Sequence, residues 1–146
     1  MTRAVASRVP AAVSGGGYKR VEIEKLLLDP QNPRLAEFGI SPETSQSDLL
    51  TTLWKELAVE EVAMSIAYSG YFPHEPLFVE EAPKGRYIVI EGNRRLAAVK
   101  LLLDGELRRR VRATNLPLIS GQDAEDLKNL PVIVTTREES WRYLDS

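Results

Sequence analysis

The sequence predicts an α/β (α+β) fold in which a small mixed sheet is flanked by helices. Two observations lead to this fold class. Strand-like and helix-like apolar patterns follow one another along 146 residues, the usual size of one domain. Apolar residues make up 43% of the chain, enough for one core. We therefore expect one domain over residues 18–146, preceded by a flexible, glycine-rich leader at residues 1–17.

Alternation and turn residues predict the strands. Val21 and Ile23 alternate with glutamates, so the segment 18–28 is expected to begin as a half-buried strand and to run into a short apolar turn. A loop at 29–34 follows, stiffened by two prolines and without regular structure. The other expected strands are 77–79 and 86–90, a hairpin around the turn residues 82–85, and 130–135.

Helical spacing of apolar residues predicts the helices. A core-facing helix should follow a cap at Ser47 or Asp48 and bury leucines up to Leu57. A second helix is expected over residues 59–69, with Gly70 as its C-cap. Further helices are expected at 93–103, in the basic segment after Gly105, at 122–128, and from residue 137 onward.

The segment 88–103 is the most informative element, because a buried strand, a glycine and a basic helix follow one another directly. The first amides of a helix lack partners and carry the positive end of the helix dipole, so they form an anion site. Gly92 lets a phosphate approach the backbone, while Arg94 and Arg95 add fork-shaped donors. Glu91 is a candidate catalytic base or Mg²⁺ ligand.

A plainer interpretation of this segment stays open. Asn93 is a favoured N-cap residue, Gly92 need only turn the chain, and the two arginines can be solvated. However, arginine in a first helical turn is unfavourable against the dipole. Two arginines together at this position favour a negatively charged guest.

Composition and charge restrict the class of protein. The net charge of −2 argues against a domain that coats nucleic acid by bulk electrostatics, although seven basic and two acidic residues lie between Arg94 and Arg112. Without cysteine, thiolate catalysis and cysteine-ligated metals are excluded. No apolar run approaches the roughly 20 residues of a membrane-spanning helix. We expect a soluble, cytoplasmic protein.

The sequence resembles the ParB N-terminal domain, a branch of the ParB/sulfiredoxin superfamily. The residues at 91–98, Glu-Gly-Asn-Arg-Arg-Leu-Ala-Ala, are similar to the Gly-Glu-Arg-Arg box of that family. The resemblance extends over roughly residues 21–134 and depends on an ordered set of short motifs. The other motifs are Asn32-Pro33-Arg34, the helix end at 62–70, and the strands at 76–79 and 130–134.

The resemblance implies a nucleotide phosphate site in this box. ParB proteins bind and hydrolyse CTP there, related members use ATP or ADP, and the implied cofactor is a nucleoside triphosphate with Mg²⁺. The residues that would bind the nucleotide are Gly92, Asn93, Arg94 and Arg95, with Asn32 and Arg34 on the pocket wall.

One position departs from the family pattern. Asn93 stands where ParB has glutamate, so the family's metal-assisted hydrolysis would lack that carboxylate here. Glu91, one residue earlier, would then replace it. The absence of cysteine excludes the sulfiredoxin reaction.

The leading hypothesis is therefore a nucleotide-binding module, extending to an NTPase switch, in a DNA-associated protein. One alternative is a ParB-like nuclease in which the arginines grip a phosphodiester and Glu91 binds a divalent metal. The other is a catalytically silent interaction module, for which Asn93 is the discriminating residue. Whether the chain is an enzyme stays open. DNA would be contacted through a larger assembly or a C-terminal domain that follows this piece, and the protein would form a homodimer.

Lesser candidates surround this site. Tyr71 and Phe72 are candidates for stacking on a base, against a simpler role in covering the core. His74, the single histidine, is a candidate catalytic residue near the pocket mouth or an ordinary loop residue. The basic run between Arg108 and Arg112 is either a phosphate-binding patch or, more often for such runs, a solvated helix face.

Overall fold

The computed structural model describes residues 17–71 and 75–144, with side chains as far as residue 140. The leader predicted at 1–17 lies outside this part except for its last residue, as do Phe72 and His74. Within the described ranges one mixed sheet has the strand order β1-β5-β3-β4-β2. The strands are β1 Gly17–Glu22, β2 Leu26–Leu27, β3 Leu77–Ala82, β4 Arg86–Glu91 and β5 Asn129–Val134.

The pairing in this sheet is both parallel and antiparallel. Strands β1 and β5 pair antiparallel, as do β3 and β4 in the predicted hairpin, while β3 pairs parallel with β5 and β2 parallel with β4. The predicted mixed sheet with flanking helices is therefore confirmed. The helices are α1 Gln46–Glu56, α2 Val59–Ser69, α3 Asn93–Leu103, α4 Gly105–Val111, α5 Gly121–Asp126 and α6 Arg137–Leu144.

Helix α3 lies at the centre of the fold. Its residues Leu96 to Val99 and Leu101 are fully buried, and α2 packs against it. Ala97 and Ala98 are small, so neighbouring backbones can approach closely. Since burial fixes α3 on nearly all sides, the position of its first turn relative to the sheet is also fixed.

The first predicted strand divides into two. After Glu22 a 3₁₀ turn at Ile23–Lys25 redirects the chain, and Leu26–Leu27 then pairs with β4 rather than with β5. Strands β1 and β2 consequently form opposite edges of the same sheet. The alternation of Val21 and Ile23 predicted β1, but the change of partner depends on long-range pairing that local alternation does not encode.

Two local predictions needed correction. The N-cap of α1 is Ser45, whose hydroxyl accepts from the Asp48 amide, rather than Ser47 or Asp48. The loop predicted over 29–34 gains regular structure at its end, because Asn32 caps a 3₁₀ helix at Pro33–Phe38. Proline at the first helical position lacks an amide that would otherwise be unsatisfied, which explains why Pro33 begins this helix.

A side chain of α1 fixes the start of the 29–34 loop. The amide group of Gln46 accepts from the Leu28 N–H at 2.8 Å and donates to the Leu28 carbonyl at 2.9 Å. It thereby satisfies both backbone groups of Leu28 where the short strand β2 ends.

In the part of the chain that the structure describes, no helix has the length and apolar character needed to cross a bilayer.

Candidate functional site

The site begins where β4 passes into α3. Strand β4 ends at Glu91, and Gly92, with φ +111°, is the N-cap of α3 and provides no side-chain cap hydrogen bond. The first intrahelical hydrogen bond runs from the Leu96 amide to the Gly92 carbonyl at 3.0 Å. The amides of the first turn therefore lack a capping side chain, and the positive end of the helix dipole faces the same side.

Glycine is required at position 92 for two reasons. Its positive φ is costly for any residue with a Cβ. A Cβ built there would overlap Leu77 Cδ2 and come within 3.1 Å of Arg95 Nη2. Because Leu77 is fully buried, it has little room to move aside. The space beside Gly92 was predicted to admit a ligand, but Leu77 and Arg95 of the protein itself occupy part of it.

A cleft of about 180 Å³ opens at this junction. It brings together the seven residues predicted for catalysis and phosphate binding, including Asn32 and Arg34 from the loop, but not Tyr71. Apolar side chains from α1, α2 and β4 form the remaining wall. The lining residues are Asn32, Arg34, Leu53, Leu57, Val62, Ile90, Glu91, Gly92, Asn93, Arg94 and Arg95.

Arg94 spans the cleft toward the joint between α1 and α2. Its Nη2 donates to the Ala58 carbonyl at 3.2 Å, and its buried Nε has no hydrogen-bond partner among the described residues. Ala58 itself has φ 56° and ψ 42°, a left-handed conformation that costs an L-residue about 1–2 kcal/mol. An unpartnered buried N–H is unfavourable, so an acceptor arriving in the cleft would satisfy it.

Arg95 is held against the backbone beside Gly92. Its Nη1 donates to the Glu75 carbonyl and lies 3.5 Å from the Tyr71 hydroxyl. Burial raises the pKa of Tyr71, while the positive charge of Arg95 opposes that rise. Both arginines are half-buried rather than directed into bulk solvent, so their charges remain close to the uncapped turn.

Asn93 has a different place from that of the arginines. The residue is 5% exposed, and its Oδ1 accepts from the Asp29 amide at 3.0 Å. Its Nδ2 donates to the Val89 carbonyl at 2.8 Å. The side chain therefore joins the strand end to the 29–34 loop, and it is the backbone amide of Asn93 that belongs to the uncapped turn.

The remaining predicted residues are more exposed. Asn32 accepts from the Arg34 amide at 3.0 Å, and the Arg34 side chain extends from the cleft wall as an exposed group. Glu91 is exposed and is the one carboxylate among the described residues that line the cleft. Over the same described residues, no group of three or more His, Cys, Asp or Glu side chains is arranged to hold a metal ion.

A second cleft, of about 280 Å³, continues from the first. The two share Val62, Arg94 and Arg95, so both arginines line both clefts. The wall of the second cleft is partly apolar, with acidic and hydroxyl groups at its rim. Its other lining residues are Glu61, Ser65, Ile66, Tyr71 and Glu75.

Comparison with protein families decides the assignment. A model of the ParB N-terminal domain matches residues 40–119, more than half of the chain. The chain belongs to the ParB N-terminal domain family. The matched segment contains the box at 91–98 and all residues that line the two clefts except Asn32 and Arg34. These two lie in the loop before residue 40. Among curated proteins, none matches the chain.

Solved structures with a similar fold include two of chromosome-partitioning ParB. C-terminally truncated ParB from Caulobacter crescentus, complexed with CTP-gamma-S, is 21% identical with a TM-score of 0.46 over 88% of this chain and 53% of that one. The same protein complexed to the centromeric parS site gives 21% identity and a TM-score of 0.38 over 81% and 38%. C-terminally truncated SbnI from Staphylococcus aureus gives 20% identity and a TM-score of 0.43 over 84% and 32%. This chain thus spans about half or less of each.

Sequence reasoning missed several residues that build the site. Asp29 was expected only as a loop residue and Arg137 only as the start of the last helix, yet they form a partly buried ion pair 108 positions apart. Ala58 was not recognised as the acceptor for Arg94. Charge and spacing carry no signal for such distant contacts. The left-handed conformation of Ala58 is also unexpected, because alanine rarely adopts it.

The basic run contributes to the fold through the side chain of Arg108. Arg108 Nη1 donates to the carbonyls of Leu101 at 2.7 Å and Leu102 at 3.1 Å, where it satisfies the C-terminal end of α3. Arg109 pairs with Glu106 on the exposed face of α4. The structural role of Arg108 was not expected from the sequence.

Proposed function

We propose that this ParB N-terminal domain binds a nucleoside triphosphate, with the phosphates at the uncapped start of α3. The observation that carries the proposal is the convergence, in one cleft of about 180 Å³, of that helix end with the half-buried guanidinium groups of Arg94 and Arg95. Helix amides, the helix dipole and two fixed positive charges all favour a polyanion. The family membership supports the same ligand class, because the resemblance of the 91–98 box already implied it.

Cleft size supports a division of the nucleotide between the two clefts. Pockets that enclose a whole small molecule usually have about 300–1,000 Å³. The first cleft is smaller than that, which suits phosphate groups, whereas the neighbouring cleft of about 280 Å³ suits the sugar and base. Tyr71, partly buried in the second cleft, is the aromatic face there. The bound phosphates would contact the amides after Gly92, the two arginines and, from the loop, Arg34.

The metal and the chemistry form the finer part of the proposal. Mg²⁺ typically takes one or two carboxylates together with phosphate oxygens and water. Glu91 fits that pattern as a single carboxylate at the cleft, and it would also be the base or metal ligand in hydrolysis. Asn93 is committed to the Asp29 amide and the Val89 carbonyl through its side chain, which supports slow turnover or none. A nucleotide switch in a longer, DNA-associated and homodimeric protein is consistent with this arrangement.

Nucleotide titration tests the proposal directly. The protein is titrated with CTP, ATP and GTP, with and without Mg²⁺, by calorimetry, and phosphate release is followed in parallel. Replacing Arg94 or Arg95 with Gln should weaken binding about 10- to 100-fold, since a hydrogen bond to a charged group contributes ~1.5–3 kcal/mol. Arg86→Gln, at the opposite end of β4, is the matched control and should bind as the wild type does.

The outcomes separate the alternatives. Tight binding without release supports a nucleotide-binding switch, and release that requires Glu91 supports an NTPase. Nicking of supercoiled DNA with a divalent metal, without nucleotide binding, would support the nuclease. If an Arg94→Gln/Arg95→Gln variant that remains folded binds nucleotide as tightly as the wild type, the proposed phosphate site is wrong.

A further inference from the structure

A partly buried ion pair joins the last helix to the loop beside the cleft. Arg137, the first residue of α6, donates from Nη1 to Asp29 Oδ2 at 2.8 Å and from Nη2 to Asp29 Oδ1 at 3.0 Å. The Asp29 side chain is 1% exposed and that of Arg137 is 18% exposed. The hydrogen bond to Asp29 raises the pKa of Arg137, so its guanidinium group stays charged. Two parallel bonds to a planar guanidinium fix the orientation of both side chains.

Asp29 is the point at which three elements meet. Its amide donates to Asn93 Oδ1 at 3.0 Å, at the start of α3. Its Oδ1 also accepts from the Gln31 amide at 2.9 Å, within the loop. The Arg137 amide donates to Glu80 Oε2 at 3.2 Å, which ties α6 to β3. We call the chain of contacts Asn93–Asp29–Arg137 the relay.

Stability alone is a poor explanation for the relay. The buried Asp29 carboxylate and the partly buried Arg137 guanidinium both lose hydration when they pair, and well-packed apolar residues of similar volume often stabilise a protein as much or more. What the relay does provide is a defined position for the loop at 29–34. That loop brings Asn32 and Arg34 to the cleft wall, and Arg34 is itself exposed. Its approach to a ligand therefore depends on where the loop backbone is held.

We propose that Asp29 and Arg137 are positioning residues for the anion cleft, which act through the loop at 29–34 and couple the docking of α6 to ligand binding. The proposal rests on the proposed function, because it concerns the same phosphate site. Coupling of this kind is reciprocal. A bound anion should hold α6 in place, and release of α6 should weaken binding of the anion.

Two measurements on the whole chain test the two parts of the proposal separately. Hydrogen exchange reports the positioning of the loop, and titration reports the affinity for the anion. The variants are Arg137→Gln, Asp29→Asn and the double variant, which removes both charges and so leaves no unpaired buried charge if a single variant fails to fold. Exchange at the Gln31 amide, measured without ligand, should be faster in each variant. Affinities for CTP and for inorganic triphosphate should fall about 3- to 30-fold, the usual range for positions that couple two sites. Lys128→Gln, which removes the exposed pair with Glu125, is the control and should change neither quantity.

A cycle with Arg34→Gln distinguishes positioning from a general structural effect. If Arg137 acts through the loop, its substitution should cost clearly less affinity in the Arg34→Gln background than in the wild type. Arg137→Lys keeps the charge but loses the planar fork, so it should restore only part of the affinity.

Three results would overturn the proposal. These are unchanged exchange at Gln31 in folded Arg137→Gln, unchanged anion affinity in that variant, or additive losses in the cycle. If the wild type binds no anion at all, the proposed function fails and the coupling fails with it. Faster loop exchange in Arg137→Gln would then still support the positioning of the loop, so the two failures are distinguishable.

Discussion

Replacement of Gly92 by alanine probes the turn on which the proposed anion site depends. The positive φ of +111° should cost alanine about 1–2 kcal/mol. The new Cβ would also overlap Leu77 Cδ2, and overpacking in a filled core costs roughly 1–3 kcal/mol. Together these give a loss of about 2–5 kcal/mol in the free energy of unfolding, a large share of the ~5–15 kcal/mol typical of a domain.

Urea denaturation at neutral pH measures this loss, and the chain offers a matched control. Gly39 also has positive φ, +82°, but a Cβ there would meet nothing within 4 Å. Gly39→Ala should therefore show the backbone cost alone. In a Leu77→Val background, which lacks Cδ atoms, Gly92→Ala should lose its steric part and approach the Gly39 value. Equal losses for Gly92→Ala and Gly39→Ala in the wild-type background would refute the reasoning.

Two further predictions concern residues that contact the arginines. Ala58→Gly should stabilise the domain by up to about 1 kcal/mol, because glycine adopts the left-handed conformation at φ 56° without strain. The control, Ala82→Gly, lies in extended backbone and should destabilise the domain by a similar amount. Thermal unfolding of both variants measures the two effects. Burial raises the pKa of Tyr71, so the folded state favours its neutral form. The resulting contribution to the free energy of unfolding is complete below the ordinary tyrosine pKa of about 10 and is lost as pH rises beyond it. The wild type should thus lose stability above pH ~10 more steeply than Tyr71→Phe, and parallel stability curves for the two proteins would contradict the assignment.

Local patterns predicted most of the fold. The predicted α3 agrees with the observed helix at both ends, and Gly70 ends α2 as expected, because apolar period, capping residues and glycine act over a few residues. The hairpin of β3 and β4 followed from its turn residues for the same reason. The separation of β1 from β2 was not predictable in this way. It depends on which strand each segment meets across the sheet, and that contact is remote in sequence.

The candidate site shows the same division. The junction at Gly92 and the neighbouring arginines have a local signature, since strand, glycine and basic helix are contiguous. The acceptors that the arginines meet within the protein, the carbonyls of Ala58 and Glu75, come from segments 36 and 20 residues away. A backbone carbonyl is present in every residue, so no residue type marks it. Only the three-dimensional packing selects these two.

The side chain at position 93 can either fix the loop at 29–34 or provide a carboxylate to the cleft. The interior location there requires one group that accepts from the Asp29 amide and one that donates to the Val89 carbonyl. A side-chain amide provides both, whereas an ionised glutamate only accepts and would place a second negative charge close to the buried Asp29 carboxylate. Glutamate at this position would have to turn outward, toward the cleft. With asparagine, the same position instead fixes the loop that carries Arg34, and the carboxylate available to a metal is that of Glu91. For the proposed polyanion site, this arrangement therefore favours binding over hydrolysis.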